Sequence, residues 1–268
     1  MLLEYFRFIL YGLIQGLTEF IPVSSTAHLK VIPFFFGFDE PGHSLSAIIQ
    51  IGSVLALFWY FKNDIFNLRI DYSKKFFGNL LNQKLFKSIL IGTIPITLVG
   101  ASVKVFIPYF FDNILRSNLS IALVSILMAI FMYIADSSKK GSINLKNHNF
   151  SDSFLIGFSQ AFAIFPGVSR SGITISTALV AGWDRCDAAK FSFLLGIPAI
   201  SFAAIVEFFS SLSEFNSYSF FQLFVALATT FLSSLFAIDF LLKFFSSNGL
   251  KLFIIYRVLF GLVILLNL

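Results

Sequence analysis

The segment at 119–135, LSIALVSILMAIFMYIA, contains no charged side chain. As a helix rising about 1.5 Å per residue, it covers most of a bilayer's hydrocarbon core. Lipid offers its backbone no hydrogen-bond partners, so a helix is the form that satisfies them internally. Comparable apolar runs recur at 44–61, 88–103, 191–209, 219–242 and 252–266. Only 12% of the 268 residues are charged and 57% are apolar, whereas soluble domains carry about 25% charge. A mean hydropathy of +0.86 points the same way. A transmembrane β-barrel would show short alternating strands in place of these runs. The sequence therefore predicts an all-α polytopic membrane protein with about six full transmembrane helices.

Two further apolar regions are interrupted. One, at 6–36, breaks at Pro22; the other, at 154–183, breaks at Pro166 and Gly167. Proline removes a backbone donor and disfavours helix at the residue before it. The half-segments, about 10 to 15 residues each, are too short to span alone. Both regions are expected to form re-entrant helix pairs whose tips are buried or line a cavity. They also resemble each other. GLIQ at 12–15 leads to Pro22 and Ser24-Ser25, and GFSQ at 157–160 leads to Pro166 and Ser169-Arg170-Ser171. Gly92 with Pro95, and Gly196 with Pro198, extend the match. Broken segments at corresponding places suggest an inverted repeat with its site at the repeat interface. The halves would be 1–136 and 150–268, within one membrane domain covering 1–268.

The net charge of +5 belongs to loops between apolar runs, so it reads as membrane topology and not as nucleic-acid binding. Lys62, Arg69, Lys74, Lys75, Lys84, Lys87, Lys139, Lys140, Lys146, Arg185, Lys190, Lys243 and Lys251 fall on one side of the predicted fold. Arg7, Lys30, Lys104 and Arg116 fall on the other. The positive-inside rule makes the first side cytoplasmic and places both termini outside. Cys186, the single cysteine, allows no intramolecular disulfide. The first apolar segment is interrupted by Glu4, Arg7, Gln15 and Glu19, so it is expected to be retained and not cleaved as a signal peptide.

The chemistry concentrates at the two breaks. Gln15 and Glu19 share a helix face. A charge as deep as Glu19 costs about 2.5 to 3.5 kcal/mol on insertion scales and is by default a functional candidate. Satisfaction by a neighbouring helix is the plainer explanation. Ser24, Ser25 and Thr26 follow Pro22 where a helix would begin. Capping explains one hydroxyl; three of them at a helix N-terminus suit a phosphate group. His28 lies within a helical turn of Ser24 and Ser25, placing it to exchange a proton with either. At the second break, Gly167 and Gly172 permit close backbone approach, while Ser169, Ser171 and Thr174 supply donors. The planar fork of Arg170 matches phosphate oxygens. A buried Arg170–Glu19 ion pair holding the tips together, or an anion clamp without catalysis, would use the same residues.

QGLTEFIPVSSTAH at 15–28 and PGVSRSGIT at 166–174 resemble the two signatures of the bacterial undecaprenyl-diphosphate phosphatase family, the bacitracin-resistance type. The likeness continues through AIIQIGSVLALFWYF at 47–61, FSFLLGIP at 191–198 and IYRVLFG at 255–261. The resemblance implies hydrolysis of a polyprenyl diphosphate to the monophosphate, which recycles the lipid carrier of the cell wall. It further implies a multi-pass protein of the bacterial inner membrane, an outward-facing site, a divalent metal (Mg or Ca) and a homodimer. Position 15 is the neutral variant of the first signature, so Glu19 is the expected metal ligand and Gln15 the doubtful one.

On this reading Glu19, Ser25, His28 and Arg170 are catalytic, and Gln15, Ser24, Thr26, Ser169, Ser171, Gly172 and Thr174 bind substrate. Ser25 is expected as nucleophile and His28 as its base, with Glu19 holding the metal or orienting His28. Attack by Ser24, a phosphohistidine at His28, and water activated by Glu19 remain alternatives. A transporter or flippase for a phosphorylated lipid or anion is the rival class, since broken inverted repeats also characterise transporters.

Overall fold

A computed structural model describes residues 2–67, 76–106, 109, 114–138 and 141–267. Arg69, Lys74, Lys75, Lys139 and Lys140, which the sequence assigns to the basic side, lie outside them. Eleven α-helices form the described residues: α1 (Leu2–Phe20), α2 (Ser25–Phe35), α3 (His43–Tyr60), α4 (Lys62–Asn67), α5 (Phe76–Phe106), α6 (Asn118–Asp136), α7 (Phe150–Gln160), α8 (Arg170–Val180), α9 (Arg185–Ser210), α10 (Phe220–Phe245) and α11 (Lys251–Leu266). A 3₁₀ turn over Ala161–Ile164 extends α7. The nearest thing to β-structure among the described residues is one isolated bridge, Ile143 to Trp183.

Among the described residues, five helices are long and apolar enough to cross a membrane unaided: α3, α5 over Gln83–Val103, α6, α9 and α10. The sixth expected span, α11, has 16 residues; at 1.5 Å per residue it reaches about 24 Å, short of a 30 Å core. The chain is an all-α, multi-pass membrane protein. Helix starts follow local chemistry. Ser219 caps α10 by accepting from the Gln222 amide at 3.2 Å, while the Gln222 side chain accepts from the Ser219 amide at 2.9 Å, a reciprocal capping box. Asp184 caps α9 by accepting from the Cys186 amide at 2.9 Å.

Both interrupted regions are helix–break–helix, though α1, at 19 residues, is longer than the expected half-segment. It packs along α10 and α3, while α7 packs on α5, α3 on α9, and α6 on α11. Helix α8 is enclosed by α6, α7 and α9. Small residues permit this closeness, which drives helix association in lipid. A Cβ at Gly12 would stand 2.8 Å from Thr229 Cβ in α10, and one at Gly157 would stand 2.2 Å from the Gly92 Cα in α5. Beneath the breaks lies an aromatic core. Phe20, at the end of α1, meets Phe193 of α9 edge-on at 5.5 Å, which fixes where the first break emerges.

Candidate active site

The two breaks meet. Each ends on a serine in the left-handed backbone region, Ser24 at φ 80° and Ser169 at φ 71°, the non-glycine residues with positive φ among those described. Each serine directly precedes a helix, α2 or α8. Such backbone persists only where its surroundings hold it, and it gathers at functional sites. Ser169 caps α8 by accepting from the Gly172 amide at 3.2 Å, whereas the Ser24 side chain makes no capping bond. From the second break, Ser171 Oγ donates to the Ile21 carbonyl of the first at 3.4 Å.

Glu19 is the hub. Its Oε2 accepts from Ser25 Oγ at 2.7 Å and from Gln15 Nε2 at 3.2 Å. Its Oε1 faces Arg170 Nη2 at 3.5 Å, at ion-pair range but without hydrogen-bond geometry. Arg170 Nη1 donates to the Ser192 carbonyl at 3.1 Å, leaving the buried Nε and Nη2 without hydrogen-bond acceptors. The guanidinium lies over Gly196, where a Cβ would stand 2.1 Å from Nη1; only glycine leaves room for it. Glu19, Ser24, Ser25, Thr26, Ser169 and Arg170 line one cavity of about 960 Å³. One end of the cavity is ionic, with Arg116 paired to Glu40 at 2.7 Å and His43 facing Glu207 at 3.9 Å. Ile96, Ile164, Phe165, Ile200 and Phe202 add an apolar wall.

Four expected site residues are placed otherwise. His28 is buried, 1% exposed, and does not line the cavity. Its Nδ1 lies 2.7 Å from the Ser24 carbonyl, which only accepts, so Nδ1 donates; Nε2 of a neutral ring then accepts from Tyr256 OH at 2.6 Å. Both ring nitrogens are thus engaged away from Ser25, whose hydroxyl faces Glu19 Oε2 instead. Ser171 and Thr174 turn into helix packing. Ser171 is spent on Ser169 and Ile21, and Thr174 on the Arg170 carbonyl and on Ser192 Oγ at 2.6 Å. The Gly172 amide is consumed by the cap on α8, so it is not free for substrate. Several neighbours escaped the sequence reading. Ser53 lies 3.4 Å from Gln15 Nε2, and Gln50 lines the cavity with a buried, unpaired Oε1. An amide in the apolar run of α3 was the available signal for Gln50.

Among the described residues no cluster of three or more His, Cys, Asp or Glu side chains stands ready to hold a metal. A hard divalent ion takes one or two carboxylates and draws its remaining ligands from phosphate and water. Glu19, bonded to Ser25 Oγ and lining the cavity with Ser24, fits as the carboxylate for an ion arriving with a phosphorylated ligand. Gln15 turns its nitrogen toward Glu19, so it adds no oxygen there.

A family model described as bacitracin resistance protein BacA matches residues 8–263. An undecaprenyl-diphosphatase of Prochlorococcus marinus strain AS9601 is 75% identical over 267 residues, covering 100% of this chain and 97% of its own. Another, from strain MIT 9301, is 74% identical over 266 residues, covering 99% and 100%. A more distant relative of the same name, from strain NATL2A, keeps 42% identity over 98% of this chain and 96% of its own. With a match over nearly its whole length, the chain belongs to the BacA bacitracin-resistance protein family.

Proposed function

We propose that the chain hydrolyses undecaprenyl diphosphate to undecaprenyl phosphate and inorganic phosphate, recycling the lipid carrier of cell-wall synthesis. The observation that carries the chemistry is the Ser25 hydroxyl held 2.7 Å from Glu19, in one cavity with the unspent donors of Arg170. Transport of an intact lipid requires no hydroxyl bonded to a carboxylate. Catalysis of phosphoryl transfer is largely positioning and charge stabilisation. The terminal phosphate takes the donors of Arg170 and draws the guanidinium from Glu19. Ser25 Oγ attacks the terminal phosphorus as its proton passes to Glu19; the bridging P–O bond breaks, and undecaprenyl phosphate leaves as an anion. Glu19 releases that proton to cavity water and is a carboxylate again; water then attacks the phosphoserine while Glu19 accepts its proton, and that proton passes to Ser25 Oγ as the Oγ–P bond breaks and phosphate is released. A divalent ion bound at Glu19 together with the diphosphate would supply charge neutralisation. His28 holds the Ser24 carbonyl, a positioning task.

The prenyl chain takes the apolar wall, leaving the diphosphate at the breaks. The ionic end of the cavity shares its side of the molecule with Lys30 and Arg116; Lys84, Lys87, Arg185 and Lys190 lie at the opposite ends of α5 and α9. By the positive-inside rule the cavity opens outward in the bacterial inner membrane; with α11 as the sixth crossing in a locally thinned bilayer, both termini lie on that side. The repeat halves 1–136 and 150–268 are supported by matching contacts, α1 on α10 and α7 on α5. That order pairs α9 with α3, so the match of Gly92 and Pro95 to Gly196 and Pro198, which joins α5 to α9, drops out. The test is phosphate release from undecaprenyl diphosphate by purified protein, with and without chelator. Release that falls with chelation and returns with Mg or Ca is expected; no release would overturn the reading.

A further inference from the structure

Arg257 interrupts the apolar run of α11 and is fully buried, 0% exposed. Its guanidinium donates to three main-chain carbonyls: Nε to Ser125 of α6 at 3.3 Å, Nη1 to Pro22 at 3.4 Å, and Nη2 to Gly167. Pro22 belongs to the first break and Gly167 to the second, so one side chain grips both. Non-helical carbonyls at membrane depth must find donors inside the protein, and the rigid five-donor fork of arginine serves several at once. None of these partners is a carboxylate, so the group is not half of a structural ion pair. The rest of α11 bears on the same place. Tyr256 OH bonds His28, and the Phe260 ring stacks on the His28 ring at 4.2 Å.

We infer that Arg257 is a positioning residue for the reaction, tying the carbonyls of Pro22 and Gly167 to one guanidinium and so setting the spacing between the Ser25–Glu19 pair and Arg170. This rests on the reading of the shared cavity as the active site. Arg257 does not line that cavity and acts on the chemistry only through the breaks. Displacement of reacting groups by about 1 Å can cost on the order of 100-fold in rate, so a brace that fixes two separately supported tips controls turnover without meeting substrate.

The test compares full-length Arg257→Lys and Arg257→Met with wild type. For Arg257→Met, kcat per folded molecule is expected to fall on the order of 100-fold with KM changed less than about threefold, since the loss is in transition-state geometry. Lysine, which cannot span three carbonyls, should recover only part of it. A second readout follows the spacing itself. A Cβ at position 172 would stand 3.6 Å from the Pro22 Cβ, within the roughly 3.5–4.5 Å of a disulfide. In a Cys186→Ser background, Pro22→Cys with Gly172→Cys should cross-link on oxidation, and Arg257→Met should slow this about tenfold or more if the breaks separate. Wild-type kcat in the folded fraction, whatever the folded yield, together with an unchanged cross-linking rate, would overturn the inference. Intact turnover in Ser25→Ala would instead remove the active-site reading, leaving the cross-linking result to judge the brace.

Discussion

Glu19 accepts from Ser25 and Gln15 on one oxygen and faces Arg170 with the other. Before substrate binds, the carboxylate and guanidinium offset each other's charge at membrane depth, where either alone would be costly. In the proposed mechanism a diphosphate competes for the arginine and leaves Glu19 as the proton acceptor beside Ser25. Glu19→Gln is therefore expected to lower kcat by about 10² to 10⁴, the usual range for a lost general base. Arg170→Lys should cost about 10² to 10³, because a point charge cannot reproduce a two-pronged contact. His28→Gln separates the two candidate bases. If Glu19 takes the proton, kcat should fall much less in this variant than in Glu19→Gln. An equal or larger fall would return the role to His28. The sequence brought these residues to attention because charges and hydroxyls stand out in apolar runs. It could not choose between His28 and Glu19, because helical spacing gives proximity and not the direction a ring nitrogen faces. Arg257 was equally visible as a charge within 252–266; what it holds became apparent only once both breaks were placed.

At the scale of elements, the breaks at Pro22 and Pro166 were readable from proline chemistry and the spans from length and apolarity. Tight helix contacts were not readable, since a glycine in an apolar run does not say which neighbour approaches it. The loop at 141–149 is another such case. His148 is buried there, with Nε2 2.9 Å from Ser88 Oγ of α5 and Nδ1 donating to the Leu145 carbonyl at 3.0 Å. Its ring also lies 5.4 Å from that of Trp183. Burial, and then the charge of Lys84, hold its pKa below the ordinary value, outweighing the upward pull of its backbone hydrogen bonds and Asp152. Above about pH 6.5 the ring is neutral folded or unfolded. As pH falls below that value, the unfolded chain takes the proton first, so stability declines until the lowered folded pKa is reached. The thermal midpoint of wild type should fall faster than that of His148→Gln between pH 7 and 5. Parallel curves would contradict this role for the loop.

At the scale of the whole molecule, Lys84, Lys87, Arg185 and Lys190 lie at the ends of α5 and α9 away from the cavity, and the proposed orientation rests on that charge asymmetry. In a Cys186→Ser background, Asp39→Cys should react with an impermeant thiol reagent applied outside intact cells, and Asn248→Cys only after the membrane is opened. Both side chains are exposed at helix connections. The reverse pattern would invert the topology and close the site to diphosphate arriving from outside. The convergence of two distant segments on one cavity is a property of the folded whole. Signatures 15–28 and 166–174 suggested it, but their separation in sequence says nothing of distance.

The central claim is that the phosphoryl group passes through Ser25 on its way to water. Hydrolysis of undecaprenyl diphosphate made chiral at its terminal phosphorus with oxygen isotopes and sulfur decides this, since each in-line displacement inverts that centre. Two displacements, through Ser25 and then water, give net retention in the released thiophosphate, which is the expected result. Net inversion would mean that water attacks directly, and Ser25 would lose its role as nucleophile.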